Sequence, residues 1–256
     1  MPYRTILLAA SMFVSVTAIQ PLLAANEPVA VAVASNFAST GQALATAFEQ
    51  QSGTPVQISL ASTGKLYAQI TNGALFDVFL AADAKRPKLL EASNHAAPNS
   101  RFTYAIGSLV LWSRDPELAD ADCRAKLSNL GNKRLAIANP EIAPYGAAAQ
   151  QVLMNIDAWA SAKPRLVIGE NIAQTLLFVA TGNASLGFIS STQALDERLP
   201  ASTCSWDVPE TLHQPIAQQA ILLNRGNNPA AKAFLEFLQS PAGLAIIERH
   251  GYALPH

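Results

Sequence analysis

Short apolar runs alternate with longer amphipathic segments in the first third of the chain, and this pattern predicts strands that alternate with helices. Apolar or alternating runs at 29–34, 56–60 and 76–81 predict strands, the first of them buried on both faces. Helical spacing of apolar residues at 37–51 and 66–71 predicts the helices between them. Strand–helix–strand order of this kind is typical of a parallel sheet covered by helices.

The same alternation returns in the rest of the chain. The predicted strands there lie at 104–112, 135–138, 166–168, 186–189 and 215–223, and the predicted helices at 146–155, 173–181, 229–239 and 241–250. No internal repeat, low-complexity tract or Gly/Ser-rich linker separates these segments. The pattern therefore predicts an α/β protein of one or two domains. If there are two domains, we expect the chain to pass between them through strands.

The first 25 residues predict an export signal that is separate from the fold. Arg4 supplies the positive start, the segment 6–23 is almost entirely apolar or small, and small residues precede an expected cleavage near Ala25. A transmembrane anchor is the alternative, although polar residues and a proline interrupt the short apolar core. No cysteine lies near the cleavage region, which argues against a bacterial lipid anchor. We therefore expect a soluble, exported mature protein.

Composition limits the classes of partner. Half of the 256 residues are hydrophobic and 14% are charged, against roughly 25% charged in an average soluble domain. Seventeen basic residues nearly balance 18 acidic ones, which gives a formal net charge of -1. This composition excludes a disordered chain, and the lack of a basic cluster excludes a nucleic-acid partner.

Export changes the interpretation of Cys123 and Cys204, the only cysteines of the chain. In an oxidising compartment two cysteines commonly form a disulfide. Two separate buried thiols remain the alternative, because spacing along the chain does not fix a distance in space. The four histidines are scattered and no Cys-x-x-Cys motif is present, so the sequence predicts no zinc site.

The sequence contains no strong catalytic motif. Gly-x-Ser-x-Gly and His-Glu-x-x-His are absent, and the carboxylates are dispersed. The segment 62–65 is faintly similar to a phosphate loop, but Ser59 stands where that loop begins with Gly and Leu66 where Ser or Thr follows. We therefore reject a nucleotide-binding loop. A serine hydrolase that uses Ser35 or Ser62 remains an alternative, although no histidine lies in a strand-to-helix turn.

The positive signal lies at the predicted strand-to-helix turns. Small, hydroxyl or amide residues occupy four of them, at 34–36, 61–64, 144–146 and 170–172. A helix N-terminus exposes unpaired N–H groups, and ligands of parallel sheets bind outside the carboxyl ends of the strands. Four such turns in one cleft would form an anion site of neutral donors. Each turn by itself is better explained by ordinary helix capping.

Taken in order, these segments resemble the substrate-binding proteins of bacterial molybdate ABC transporters. The similarity covers essentially the whole mature chain, and the block 62–83 is its most specific part. The matching stretches are VAVASNF at 31–37, ASTGKLYAQI at 61–70, FDVFLAAD at 76–83, NPEIAPYG at 139–146, GENIAQ at 169–174 and LGF at 186–188.

The resemblance implies a two-lobed clamshell fold of the periplasmic-binding-protein type, each lobe being a mainly parallel sheet flanked by helices. One lobe would comprise 26–104 and 216–256, and the other 105–215. The implied protein is a periplasmic monomer that is not embedded in a membrane, is not an enzyme and needs no cofactor. It would deliver its ligand to an inner-membrane ABC permease.

The resemblance also implies the ligand and its site. Molybdate or tungstate would be bound as an oxyanion between the lobes by neutral donors. Some family members use a Tyr hydroxyl after the LGF stretch, where this chain has Ser190. Whether Ser190 contacts the ligand therefore stays open. Another oxyanion, such as sulfate, and a sensor domain are the alternatives. The implied donors are Ser35, Asn36, Ser62 and Thr63 in one lobe, and the residues Tyr145, Asn171 and Ile172 in the other.

Overall fold

The computed structural model describes residues 27–224 and 228–255. The predicted export signal, with its expected cleavage near Ala25, lies outside these residues. Within the described ranges, no helix is both long enough and apolar enough to cross a lipid bilayer.

Strands and helices alternate along the described chain as the sequence predicts. The strands are β1 (Val29–Ala34), β2 (Val56–Ala61), β3 (Val78–Ala81), β4 (Phe102–Gly107), β5 (Leu109–Ser113), β6 (Leu135–Ala138), β7 (Leu166–Gly169), β8 (Leu186–Ser190), β9 (Cys204–Asp207) and β10 (Ile216–Leu222). The helices are α1 (Ala38–Ser52), α2 (Thr63–Thr71), α3 (Lys85–Ala92), α4 (Cys123–Lys126), α5 (Pro144–Asn155), α6 (Trp159–Ala162), α7 (Ile172–Ala180), α8 (Ser191–Ala194), α9 (Pro229–Leu238) and α10 (Pro241–Arg249).

The strands form two five-stranded sheets of the same topology, one in each lobe. Their orders are β2-β1-β3-β10-β4 and β7-β6-β8-β5-β9. In each sheet the first three strands are mutually parallel, the fourth is antiparallel to them, and the fifth is antiparallel to the fourth. Each sheet is therefore mixed, because β10 in the first sheet and β5 in the second run against the other four strands.

Helices cover both faces of each sheet. In the first sheet, alternate residues of β1 enter different cores, since Val31 and Val33 pack towards α1 and α9 while Ala32 packs towards α2 and α3. In the second sheet, Leu111 packs with α5 and Trp112 with α7. The prediction of a first strand buried on both faces is confirmed, and such burial is typical of a sheet with helices on both sides.

The chain crosses between the lobes at two places. The single strand predicted at 104–112 is in fact β4 and β5, which lie in different sheets and meet at Ser108. Gly107 and Ser108 interrupt the apolar run at this point, but a single strand also tolerates such residues, so periodicity alone does not separate the two strands. The first sheet extends to Gly107, three residues beyond the boundary expected at 104. The return crossing lies between β9 and β10.

A disulfide joins Cys123 at the start of α4 to Cys204 at the start of β9, with the two Cα atoms 5.8 Å apart. Within the described part of the chain, β9 is an edge strand that pairs with β5 alone. The bond therefore fastens the outer strand of the second sheet to the helix beside it. It closes a long loop, because the two cysteines are 81 residues apart in sequence.

Removing this disulfide with Cys123→Ser and Cys204→Ser together should lower the free energy of unfolding by about 2–4 kcal/mol, because the unfolded chain gains loop entropy. Urea denaturation measures this loss. Ligand affinity should be unchanged in the same variant, since neither cysteine lines the cleft described below. Two free thiols in mass spectra of the exported protein would contradict the disulfide itself.

Candidate anion-binding cleft

The carboxyl ends of the parallel strands of both sheets face each other across a cleft. The space between them, including its open mouth, is about 190 Å³. All seven residues implied by the resemblance line it, although they come from four separate turns. The lining consists of Ala34, Ser35, Asn36, Ser62, Thr63 and Ala82 in the first lobe, and of Ala143, Pro144, Tyr145, Asn171 and Ile172 in the second.

Among the described residues, no charged side chain lines the cleft, and its polarity comes from hydroxyl and amide side chains and from helix N-termini. Four helical segments begin at it, namely a 3-10 turn at Ser35–Phe37, α2, α5 and α7. None of the four has an acidic residue in its first turn. Their unpaired N–H groups and dipoles therefore give the cleft a positive potential without a formal charge.

The hydroxyl groups of the first lobe are arranged to donate. The Ser62 hydroxyl caps α2 by accepting from the Lys65 N–H at 3.4 Å, and the Thr63 hydroxyl accepts from the Ala82 N–H at 3.1 Å. Because each oxygen already accepts a bond, its own proton remains for another acceptor. The Ser35 hydroxyl makes no hydrogen bond within the described part of the chain, so it is free to turn towards the cleft.

The second lobe contributes backbone donors. Helix α5 begins with Pro144, which has no N–H, and Ala143 before it supplies no side-chain cap. The first-turn N–H of Tyr145 is therefore left without an intrahelical partner. At α7 the side chain of Asn171 caps the helix by accepting from the Gln174 N–H at 3.0 Å. The Asn171 side-chain oxygen is thus occupied, and the donors left at this end of the cleft include the Asn171 side-chain NH2 group and the first-turn N–H of Ile172.

A buried polar network lies behind the cleft and involves the side chain of Asn36. Its amide donates to Gln218 Oε1 at 2.8 Å and to the Tyr252 hydroxyl at 3.1 Å, and Tyr252 donates to the Asn36 carbonyl at 2.8 Å. The Tyr104 hydroxyl also donates to Gln218 Oε1, at 3.3 Å. The Asn36 side-chain amide is therefore committed to the network, and its backbone N–H is the donor available to a ligand.

The tyrosines of this region remain protonated at physiological pH. Burial raises the pKa of Tyr104 and of Tyr145 well above the ordinary value of 10.0, and it raises the pKa of Tyr252 to about 12. Their hydroxyl groups are therefore donors throughout the physiological range. Nothing in the cleft lining changes its charge near neutral pH.

The Tyr145 side chain reaches from the second lobe to the crossing between the lobes. A Cβ atom at Gly107 would lie 2.2 Å from the Tyr145 hydroxyl oxygen and 3.0 Å from Gln218 Nε2. The hydroxyl lies near Asn36 and Tyr252 but makes no hydrogen bond of good geometry. Tyr145 therefore has two parts with different surroundings, a backbone N–H at the cleft and a ring packed against the crossing.

Ser190 does not line the cleft. Its side chain is fully buried and caps α8, accepting from the Gln193 N–H at 3.2 Å, and it lies 2.9 Å from the Thr192 hydroxyl. Among the described residues, no group of three or more His, Cys, Asp or Glu side chains is placed to hold a metal ion.

Contacts between the lobes were missed by the sequence analysis. Lys65 pairs with Glu170 across the mouth of the cleft at 3.0 Å, and the Gly64 N–H donates to the Ile142 carbonyl at 2.8 Å. Arg86 donates to the Glu141 carbonyl at 2.9 Å. The sequence places Gly64 in a strand-to-helix turn, but a pairing between lobes leaves no local signal in sequence.

Gly107→Ala should lower the free energy of unfolding by about 1–3 kcal/mol, because the added methyl group overpacks the Tyr145 ring. In the Tyr145→Phe background the same change should cost less, since the hydroxyl oxygen nearest to the methyl group is gone. Urea denaturation of the four proteins in this double-mutant cycle measures the difference. Equal losses of unfolding free energy in both backgrounds would show that the Tyr145 hydroxyl is not the group that requires glycine at position 107.

Comparison with known proteins agrees with this geometry. The sequence profile of the family described as "Bacterial extracellular solute-binding protein" matches residues 29–253. The chain is 45% identical over 227 residues to the molybdate-binding protein ModA of Azotobacter vinelandii, covering 88% of this chain and 90% of the relative. It is 42% identical over 232 residues to ModA of Rhodobacter capsulatus, covering 90% of each.

Solved structures give the same result. The periplasmic molybdate-binding protein of Azotobacter vinelandii superposes with a TM-score of 0.82 at 38% sequence identity, over 89% of this chain and 100% of that one. The substrate-binding domain of a putative molybdenum ABC transporter from Clostridium difficile superposes with a TM-score of 0.66 at 23% identity, over 90% of this chain and 99% of that one. The second match shows the fold only.

Proposed function

Because the chain belongs to the family of bacterial extracellular solute-binding proteins, we propose that it captures molybdate in the cleft between its lobes and delivers it to an ABC permease of the inner membrane. Relatives at 42–45% identity that carry the name molybdate-binding protein support this ligand. Tungstate, a tetrahedral dianion of the same charge, is the second ligand that we propose for the cleft.

The observation that carries the proposal is an uncharged cleft at which four helical segments begin. A buried dianion is costly unless its oxygens receive hydrogen bonds, and backbone N–H groups at helix N-termini supply them. Ser35, Asn36, Ser62 and Thr63 are the proposed donors of the first lobe, and Tyr145, Asn171 and Ile172 surround those of the second.

The arrangement also supports discrimination among oxyanions. Backbone N–H groups can only donate, and the Ser62 and Thr63 hydroxyl groups, which each already accept one bond from a backbone N–H, have their protons available for the ligand. A protonated oxyanion such as hydrogen phosphate would place its own proton against donors and lose a hydrogen bond. A smaller dianion such as sulfate would leave some donors unpaired in a cage of fixed size.

The setting of this function follows from the same proposal. We assign the protein to the periplasm, with residues 1–25 as the export signal, and we propose that it acts as a monomer that binds but does not transform its ligand. The lobes that close on the ligand would be 26–107 with 216–256, and 108–215. Ligand contacts from both lobes would shift the open–closed equilibrium towards the closed form, which is the form we expect the permease to recognise.

Titration calorimetry of the purified mature protein against molybdate, tungstate, sulfate and phosphate tests the proposal. Molybdate and tungstate should bind with a stoichiometry of one, sulfate far more weakly, and phosphate without measurable heat at neutral pH. Tight sulfate binding with no molybdate heat would overturn the proposed ligand while leaving an oxyanion-binding protein.

Ser35→Ala should weaken molybdate binding by about 1–3 kcal/mol, because it removes a donor to a charged ligand. Stability of the unliganded protein should be unchanged, since the Ser35 hydroxyl has no hydrogen bond within the described chain. Ser190→Ala is the matched control, and it should lower stability by about 0.5–2 kcal/mol through loss of the cap without changing affinity. The reverse result would place the ligand at Ser190.

A further inference from the structure

The lobes meet at the outer rim of the cleft through backbone atoms. A short turn of the second lobe, residues 139–142, lies on the starts of α2 and α3 of the first lobe; we call it the rim turn. Asn139 stabilises it, because its side-chain oxygen accepts from the Glu141 N–H at 3.0 Å and its carbonyl accepts from the Ile142 N–H at 3.2 Å. These bonds leave the carbonyl oxygens of Glu141 and Ile142 directed at the first lobe.

The rim turn packs directly against Gly64, the second residue of α2. Its N–H donates to the Ile142 carbonyl at 2.8 Å, and the residue is buried. A Cβ atom at position 64 would lie 2.8 Å from both Cα and Cβ of Ile142 and 2.9 Å from its carbonyl oxygen. Two of these three atoms are backbone, so no rotamer change of Ile142 relieves the overlap.

The backbone of α2 gives no reason for a glycine at this position. Gly64 lies in the first turn of the helix and does not have a positive φ. In a helix interior glycine is less favourable than alanine by roughly 0.8–1.0 kcal/mol. The feature that does require glycine is the approach of the rim turn, which belongs to the other lobe.

We propose that Gly64 determines how far the cleft closes, and thereby how long the protein retains its ligand. The inference rests on the proposed function, since closure is expected to hold the oxyanion. A side chain at position 64 would meet the rim turn before the donors of the two lobes come within hydrogen-bond distance of the same ligand. Each lobe would keep its fold, because the overlap exists only between the lobes.

The other rim contacts are weaker determinants of closure. The Lys65–Glu170 pair is about half exposed, and exposed ion pairs contribute little. Arg86 reaches the Glu141 carbonyl with a long side chain that also pairs with Asp83. Flexible side chains of this kind adjust to a small change in lobe separation, whereas the backbone contact at Gly64 does not.

Gly64→Ala tests the inference, with Gly41→Ala as the matched control. Gly41 lies in α1 of the same lobe, and a Cβ atom there would come no closer than 3.4 Å to a neighbouring side-chain atom. Molybdate affinity and release rate are measured by calorimetry and stopped-flow fluorescence. The melting temperature is measured with and without molybdate, and the radius of gyration with molybdate by small-angle X-ray scattering.

For Gly64→Ala we expect molybdate affinity at least tenfold weaker and release correspondingly faster. The unliganded melting temperature should equal or exceed that of the natural protein, and the molybdate-bound radius of gyration should stay larger. Gly64→Ser, which adds the same Cβ atom, should show the same loss. Gly41→Ala should match the natural protein in affinity and release.

Two results would be decisive against the inference. Affinity and release within twofold of the natural protein for both Gly64→Ala and Gly64→Ser would show that the rim turn does not limit closure. Alternatively, the melting temperature without ligand could fall far enough to explain the lost affinity. That result would show that Gly64 stabilises its own lobe and does not act on closure. Failure of the proposed function looks different, because the natural protein and Gly41→Ala would then give no molybdate heat.

Discussion

A doubly charged anion enters a protein interior only where hydrogen bonds replace most of its hydration, and this requirement explains the arrangement of the cleft. Helix N-termini meet it without introducing a side chain whose charge would need a partner of its own. Both lobes supply helix N-termini to the cleft, because in each lobe the turns that follow the parallel strands lie at the same edge of the sheet. The repeated sheet topology therefore places neutral donors on two sides of one small space.

Low overall charge is compatible with binding a dianion for the same reason. The chain carries a formal net charge of -1, and its cleft is lined by uncharged residues. Recognition then depends on the number and direction of donors, which a fixed geometry controls better than a mobile lysine would. Ser62 and Thr63 illustrate this control, since a bond accepted from a backbone N–H fixes the position of each hydroxyl oxygen and restricts the directions open to its proton.

Local patterns were sufficient to predict most strands, the helices that follow them and the four strand-to-helix turns that line the cleft, because these depend on periodicity and on turn chemistry within a few positions. The seven individual residues within those turns came from the family resemblance. The break at Ser108 was missed, since an apolar run interrupted only by Gly107 and Ser108 is compatible with one strand or with two. The partners of Asn36 were also missed, because Gln218 and Tyr252 lie 182 and 216 residues away in sequence. Contacts between lobes, such as Lys65 with Glu170, depend on how two sheets face each other, which no local signal encodes.

On the proposed function, two residues of the cleft would link ligand binding to the movement of the lobes. Asn36 would offer its backbone N–H to the ligand, while its side chain donates to Gln218 of β10. Tyr145 would offer its backbone N–H from the other lobe, while its hydroxyl lies where a Cβ atom at Gly107 would be. A Cβ atom at Gly64 would likewise overlap the rim turn of the other lobe. The proposed closure would therefore depend on two positions, Gly64 and Gly107, at which the absence of a side chain lets the lobes approach each other.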